Sequence, residues 1–134
     1  MILSPIDSAH LIWPHLEASL QRVKDKTGDR WSTNFVLSKI QSGNAGLFRF
    51  HDRGTHIAYA VVERYDQGEK PWMNVWILEG DIGAPRARDV VQCLDELAKS
   101  VGAKVWRFTG RKGWGKALGE MVKPIATVYE REIL

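Results

Sequence analysis

Hydrophobic positions along the chain fall into blocks of two different periods. Leu16, Leu20 and Val23 follow helical spacing behind Pro14, which suits a first turn where no N–H is needed. Thr27-Gly28-Asp29 closes that helix. Ser32 reads as the N-cap of a second helix, with Trp31 stapled onto Val36, Ile40 extending the apolar face and Gly43 ending it. The pattern then changes to strands. Leu47–Phe50 is short and aromatic, Asp52-Arg53-Gly54 is a turn, and Ile57–Val62 is a nearly continuous apolar run that predicts a central strand. After the polar loop Asp66–Pro71, Trp72–Leu78 predicts a third strand, rich in tryptophan and branched residues. The helical period returns from Pro85 to Val101, where Val90, Val91, Leu94, Leu97, Ala98 and Val101 form one stripe capped by Gly102. Lys104–Thr109 alternates like a half-buried strand. Trp114–Met121 predicts a short helix weakened by Gly115 and Gly119, and Ile125–Ile133, beyond Pro124, predicts a last strand. Ile2 and Leu3 begin a short first strand.

The predicted order is β, α, α, β, β, β, α, β, α, β. Short connections make the central strands antiparallel. The helix from Pro85 is a crossover, which makes the strands on either side of it parallel and the connection right-handed. The expectation is an α/β (α+β) fold: a mixed, mainly antiparallel sheet with helices on both faces, in a single domain spanning residues 1–134.

Composition narrows this picture only a little. At 134 residues, 44% hydrophobic and 26% charged, the chain has enough apolar content for one core and none of the bias of a disordered segment. No apolar run is long enough to span a bilayer, and Met1–Asp7 lacks a signal-peptide pattern, so cytoplasm is the expected compartment. The single cysteine, Cys93, sits among Val90, Val91 and Leu94 and reads as a small core residue. The net charge of +3 is compatible with acidic ligands and too small to argue for nucleic acid. Six tryptophans are many for this length; packing accounts for some, and interfaces are also enriched in tryptophan.

Candidate chemistry concentrates in the stretch from Trp76 to Arg88, where a strand runs through a glycine-rich turn into a helix. That arrangement aims backbone N–H groups and the positive end of a helix dipole at one point, which suits a phosphate. Arg86 and Arg88 in the first turns oppose the dipole, which is odd for helix stability and reasonable for an anionic ligand; a plain connection with solvated arginines is the competing reading. Arg107, Arg111, Lys112 and Lys116 cluster near Trp106 and Trp114, either as a solvated surface or as a contact for an acidic protein surface or for the phosphates of a nucleic acid. His51 and His56 flank a turn, but no carboxylate or cysteine set completes a ligand group, so no metal is expected. There is no Walker loop and no nucleophile elbow.

The element order resembles the acyl-CoA-dependent N-acetyltransferase superfamily, the GNAT fold. Local phrases are similar to small GNAT-like proteins of tailed bacteriophages and prophages: Trp13-Pro14-His15-Leu16, Thr27-Gly28, Leu47-Phe48, the Ala58–Val62 strand, Ala98 with Gly102-Ala103, and Gly110-Arg111-Lys112-Gly113-Trp114. The resemblance implies a pantetheine arm lying between two splayed strands, here Trp72–Leu78 and Lys104–Thr109. It assigns acetyl-CoA or CoA to the backbone of Trp76, Ile77 and Leu78. The pyrophosphate falls to the turn carrying Gly80, Ile82, Gly83, Ala84, Arg86 and Arg88. The chain departs from the family's Gln/Arg-x-x-Gly-x-Gly/Ala turn. A motif started at Glu79 puts Ile82 where the first glycine belongs, one started at Gly80 loses the Gln/Arg, and Pro85 removes an N–H.

Acyl transfer needs a base for the amine and an acid for the thiolate. Glu63 and Glu79, near strand ends, are the candidate bases, each also readable as a solvated carboxylate. The resemblance places a tyrosine acid on the helix after the splayed strand; this chain has Trp114 there, with Tyr129 a distant substitute. Two readings of function result. The favoured one is a phage-encoded GNAT-fold protein with a degenerate acyl-CoA turn, acting by binding as a virion component, assembly factor or host-protein modulator. The other is an active acetyl-CoA-dependent N-acyltransferase on a small-molecule amine or protein lysine. The first implies a phage or host protein partner, met through Arg107, Arg111, Lys112 and Trp114, in the host cytoplasm or the virion. A membrane is not expected.

Overall fold

The switch of period after Gly43 is where the chain leaves its first helical layer for a sheet. In the computed structural model, which describes residues 1–66, 70–110 and 112–133, five strands follow one another across that sheet in sequence order. They are β1 (Ile2–Pro5), β2 (Gly46–Asp52), β3 (Thr55–Tyr65), β4 (Trp72–Gly80) and β5 (Val105–Phe108). The first three junctions are antiparallel, and β4 and β5 are parallel, joined by the crossover helix. The helices are α1 (Trp13–Thr27), α2 (Thr33–Gln41), α3 (Ala84–Ser100) and α4 (Lys112–Leu118). This is the mixed, mainly antiparallel architecture expected from the sequence, β3 being the central strand.

Local chemistry explains most element ends. Ser32 caps α2 by accepting from the Phe35 N–H at 3.1 Å. The β2–β3 turn puts both Arg53 and Gly54 at positive φ, 52° and 81°, the geometry a two-residue hairpin needs. The buried residues of β3 divide between two layers because successive side chains alternate faces. Ala58, Ala60 and Val62 join Val90, Leu94 and Ala98 of α3 on one side; Tyr59 and Val61 join Leu16, Leu20 and Val36 of α1 and α2 on the other. Both faces of the sheet are therefore covered by helices.

One predicted element does not form. Ile125–Ile133 is not a strand but an irregular segment beyond the 3₁₀ turn Gly119–Met121, with Ile125, Val128, Tyr129 and Ile133 exposed. Its composition favours a strand, yet β-propensity is expressed only where a neighbouring strand and an apolar face are supplied. This chain supplies neither to that segment.

Candidate functional site

The site begins with an irregularity in β4. Val61 of β3 pairs with Ile77 and Val62 pairs with Val75, so Trp76 is an extra residue with no partner across β3. Such a bulge bends its strand and increases the local twist. Pairing of β4 with β5 stops at the same level, at Val75 with Phe108, the last residue of β5, and β4 runs on to Gly80 unpaired on that side. The resulting cleft is bounded by Trp76–Gly80 on one side, by Phe108–Gly110 on the other, and by Trp114 of α4.

The cleft is narrow. Its volume is about 40 Å³, space for a few water molecules, against the hundreds of cubic ångströms of a usual small-molecule site. Phe108 and Trp114 meet edge to face beside it, ring centroids 5.7 Å apart at 82°. Ile77 and Leu78, which line the cleft, are buried. A larger groove of about 340 Å³ lies between β1 and α2, and none of the site residues read from the sequence lines it.

The turn after β4 is held tightly. A Cβ on Gly80 would stand 2.2 Å from the Ile57 carbonyl oxygen, so glycine is what lets β4 run this close to β3. Asp81 N–H donates to the same carbonyl at 3.1 Å, and Ile82 is buried in the core on the α3 side. Gly83 precedes α3 without any side-chain cap. Two of the donors expected at a helix start are lost to a phosphate. Pro85 has no N–H, and the Arg86 N–H donates to the Gly83 carbonyl at 3.0 Å. The Arg86 guanidinium folds back on Asp81, reaching its carbonyl at 3.3 Å and its carboxylate at 3.5 Å. Arg88 is exposed, and the side chain of Ala84 lies outside the described residues.

Both candidate bases are engaged by cations. Glu79, half-buried, accepts from the Ser19 hydroxyl and from Arg22 Nε, the latter at 2.7 Å. Burial pushes its carboxyl up, but the hydrogen bonds from Arg22 and Ser19 outweigh that and hold it below the usual carboxylate range. Glu63, buried, is paired with Lys39 and accepts from Asn74 Nδ2 at 3.0 Å. Neither carboxylate is the solvated strand-end group that the sequence also allowed. Tyr129 is exposed and outside any strand, and its neighbour Glu130 pairs with Arg30 in the α1–α2 loop at 3.0 Å.

Of the basic cluster, Arg107 lies over the Trp72 ring at 5.2 Å and Trp114 is half-buried against Phe108. Lys112 opens α4 with its side chain outside the described residues, and Arg111 lies wholly outside them. His51 and His56 are register partners across the hairpin, yet they turn to different groups: His51 to the Ser4 hydroxyl at 2.9 Å, His56 to Arg49 at 3.1 Å. Among the described residues no three His, Cys, Asp or Glu side chains converge as a metal site would require.

Sequence reasoning missed a polar row across the sheet. Arg49, Tyr59 and Glu79 are successive cross-strand neighbours on the face covered by α1. The Tyr59 hydroxyl and His15 Nδ1 share a hydrogen bond at 2.6 Å, and the His56 ring lies 4.4 Å from the Tyr59 ring. Polar residues at alternating strand positions were visible; which of them line up depends on register.

No family model and no curated protein matches the sequence. Solved structures match the fold. An aminoglycoside acetyltransferase, meta-AAC0020, from an uncultured soil metagenomic sample in complex with sisomicin, superposes with a TM-score of 0.65 at 10% identity, covering 98% of this chain and 95% of that one. A ribosomal-protein-alanine N-acetyltransferase from Brucella melitensis biovar Abortus 2308 gives 0.64 at 12% identity, covering 100% and 99%. The wild-type protein TTHA1254 from Thermus thermophilus gives 0.54 at 17% identity, covering 100% and 97%. At these identities the likeness is one of fold, and the fold is GNAT-like.

Proposed function

We propose that this chain is a GNAT-fold protein of a tailed phage or prophage that acts by binding a protein partner rather than by efficient acyl transfer. Its place would be the host cytoplasm or the virion, as a virion component, an assembly factor or a modulator of a host protein. The observation that carries this reading is the start of α3. Pro85 and the Arg86 N–H are both unavailable to a pyrophosphate, and the Arg86 guanidinium is held by Asp81. Acetyl-CoA or CoA therefore fits poorly, with Gly83 and Arg88 left as its contacts and a cleft of about 40 Å³ to hold the arm. Glu63 and Glu79, each tied to a cation, are unsuited to take a proton from an amine. The phage origin rests on the sequence phrases alone.

A second reading, an acetyl-CoA-dependent N-acyltransferase acting on a small-molecule amine or protein lysine, is favoured by the bulge at Trp76 and the end of β4–β5 pairing beside it. Calorimetry and thermal-shift titration with CoA and acetyl-CoA separate the two, because a ligand that binds only the native state must raise its stability. The binding-protein reading expects no saturable shift. Saturable binding that disappears on replacing Arg86 and Arg88 with alanine, together with acetyl transfer to any amine, would overturn it.

A further inference from the structure

Helices α1 and α2 do not cover the whole of their face of the sheet. Along β3 that face carries Tyr59, Val61, Glu63 and Tyr65 in turn, because successive strand residues alternate. Tyr59 and Val61 lie in the core beneath the two helices, and Lys39 of α2 reaches Glu63. The next row is Tyr65, Trp72 and Val105, register partners across β3, β4 and β5. Among the described residues, none of the three belongs to a buried cluster, and Val105 is 46% exposed. Tyr65 and Trp72 stack on each other instead, ring centroids 4.7 Å apart at 19°. Arg107, on the same face of β5 as Val105, lies over the Trp72 ring at 5.2 Å.

Trp72 is thus held between a ring on β3 and a guanidinium on β5. Rings stacked across neighbouring strands stand up from the sheet and show a partner their edges, the positive part of an aromatic quadrupole. The Arg107 guanidinium keeps N–H donors for a further acceptor, and no carboxylate takes them among the described residues. The carboxylates described at this end of β3, Glu63 and Asp66, are already paired with Lys39 and Arg64. Lys70 lies just before β4, and the Lys104 N–H donates to the Pro71 carbonyl at 3.1 Å. Both lysines are exposed and add positive charge without an ion pair among the described residues.

We propose that this row is a docking surface for an extended acidic segment of another protein. One of its carboxylates meets Arg107, and an apolar side chain lies over Val105 and the ring edges. The assignment rests on the protein-partner reading above and gives that partner its chemistry. Tryptophan, tyrosine and arginine are the residue types that carry most binding energy at protein interfaces, and all three meet here outside the core. Three neighbouring strands span about 10 Å, the reach of three or four extended residues. The row also divides the basic cluster. Trp106, Phe108 and Trp114 pack on the α3 side, so Arg107 belongs to the opposite face of the sheet from Trp114.

Anisotropy titrations of fluorescein-labelled probes with the full chain test this. The probes are a peptide of alternating glutamate and leucine, its lysine–leucine counterpart, and oligothymidylate. The acidic peptide is expected to bind saturably and the basic one not at all. Arg107→Lys keeps the charge and loses the planar fork, and is expected to weaken binding about ten-fold or more. Arg107→Glu should abolish binding while circular dichroism stays unchanged. Trp72→Leu removes the stack and should weaken binding as Arg107→Lys does, its thermal midpoint being measured alongside. Lys99→Glu makes the same change of charge on α3, at an exposed position, and should leave the affinity unchanged. No saturable binding of the acidic peptide overturns the proposal. An affinity that Arg107→Lys leaves intact, or that Lys99→Glu lowers as much as Arg107→Glu does, reduces the effect to bulk charge and overturns it too. Oligothymidylate bound as tightly, with the same dependence on Arg107, would make the row a nucleic-acid surface instead. Sedimentation showing that Arg107→Glu dissociates an oligomer would put a second copy there, which equally overturns it. The CoA titration bears on the binding-protein reading and the peptide titration on this surface, so each can fail without the other.

Discussion

Glu79 at the end of β4 and Arg22 on α1, 57 positions apart in the chain, close an ion pair at 2.7 Å. The pair fastens the first helix to the sheet beside the cleft, and the Ser19 hydroxyl one turn earlier joins it. A residue whose spacing in the sequence invites a catalytic reading is thereby a strut between layers.

Glu79→Gln should lower stability at neutral pH, and the loss should be pH-dependent. The carboxyl is depressed in the folded state, so its contribution is fully present above the unfolded value of about 4.3 and disappears as pH falls through the folded value. Urea denaturation of wild type and variant at pH 7 and again below pH 4 checks this. The difference between them should shrink in acid.

His56 defines a second, separate window. Burial first, then the Arg49 and His15 charges, push its imidazole below the ordinary value, and Arg49 donates to Nδ1, which must be unprotonated to accept. The unfolded chain takes up the proton first, at about pH 6.5. Stability should therefore fall as pH drops from there through the lowered folded value, and level off below it. His56→Gln should lack that step when denaturation is compared at pH 7 and pH 5; a wild-type-to-variant difference that does not change between them refutes the assignment.

Gly80→Ala should destabilise the fold by at least about 1–3 kcal/mol, the range for overpacking a tight site. The added methyl meets main chain, the Ile57 carbonyl at 2.2 Å, and main chain cannot turn aside as a flexible side chain can. The denaturation midpoint reports it. A neutral outcome would mean that β4 can leave β3 at this point without cost.

Leu94→Ala should cost about 2–5 kcal/mol. Leu94 is fully buried on the stripe of α3 that packs on the sheet, so its removal leaves a cavity. A loss below about 1 kcal/mol, well under the buried-leucine range, would show that the layer collapses around the gap.

The first three helices, their ends and the hairpin were legible in the sequence because their causes lie within a few residues, whereas the predicted helix Trp114–Met121 runs instead over Lys112–Leu118 and gives way to a 3₁₀ turn at Gly119–Met121. Ser32 finds the Phe35 N–H three positions on; Arg53 and Gly54 make their turn alone; the α3 stripe needs only its own period. The parallel pairing of β4 with β5 was legible too, since chirality leaves a crossover one geometry. Three features were not. The bulge at Trp76 exists only as a mismatch between β4 and β3, the row Arg49–Tyr59–Glu79 exists only in the register of β2, β3 and β4, and Ile125–Ile133 carries the composition of a strand without a neighbour to pair with. Local propensity and period thus determined which segments are helices or strand candidates and where they turn. Tertiary structure alone decided the register at which the strands pair and which charged groups meet, because those contacts join residues whose separation along the chain carries no signal.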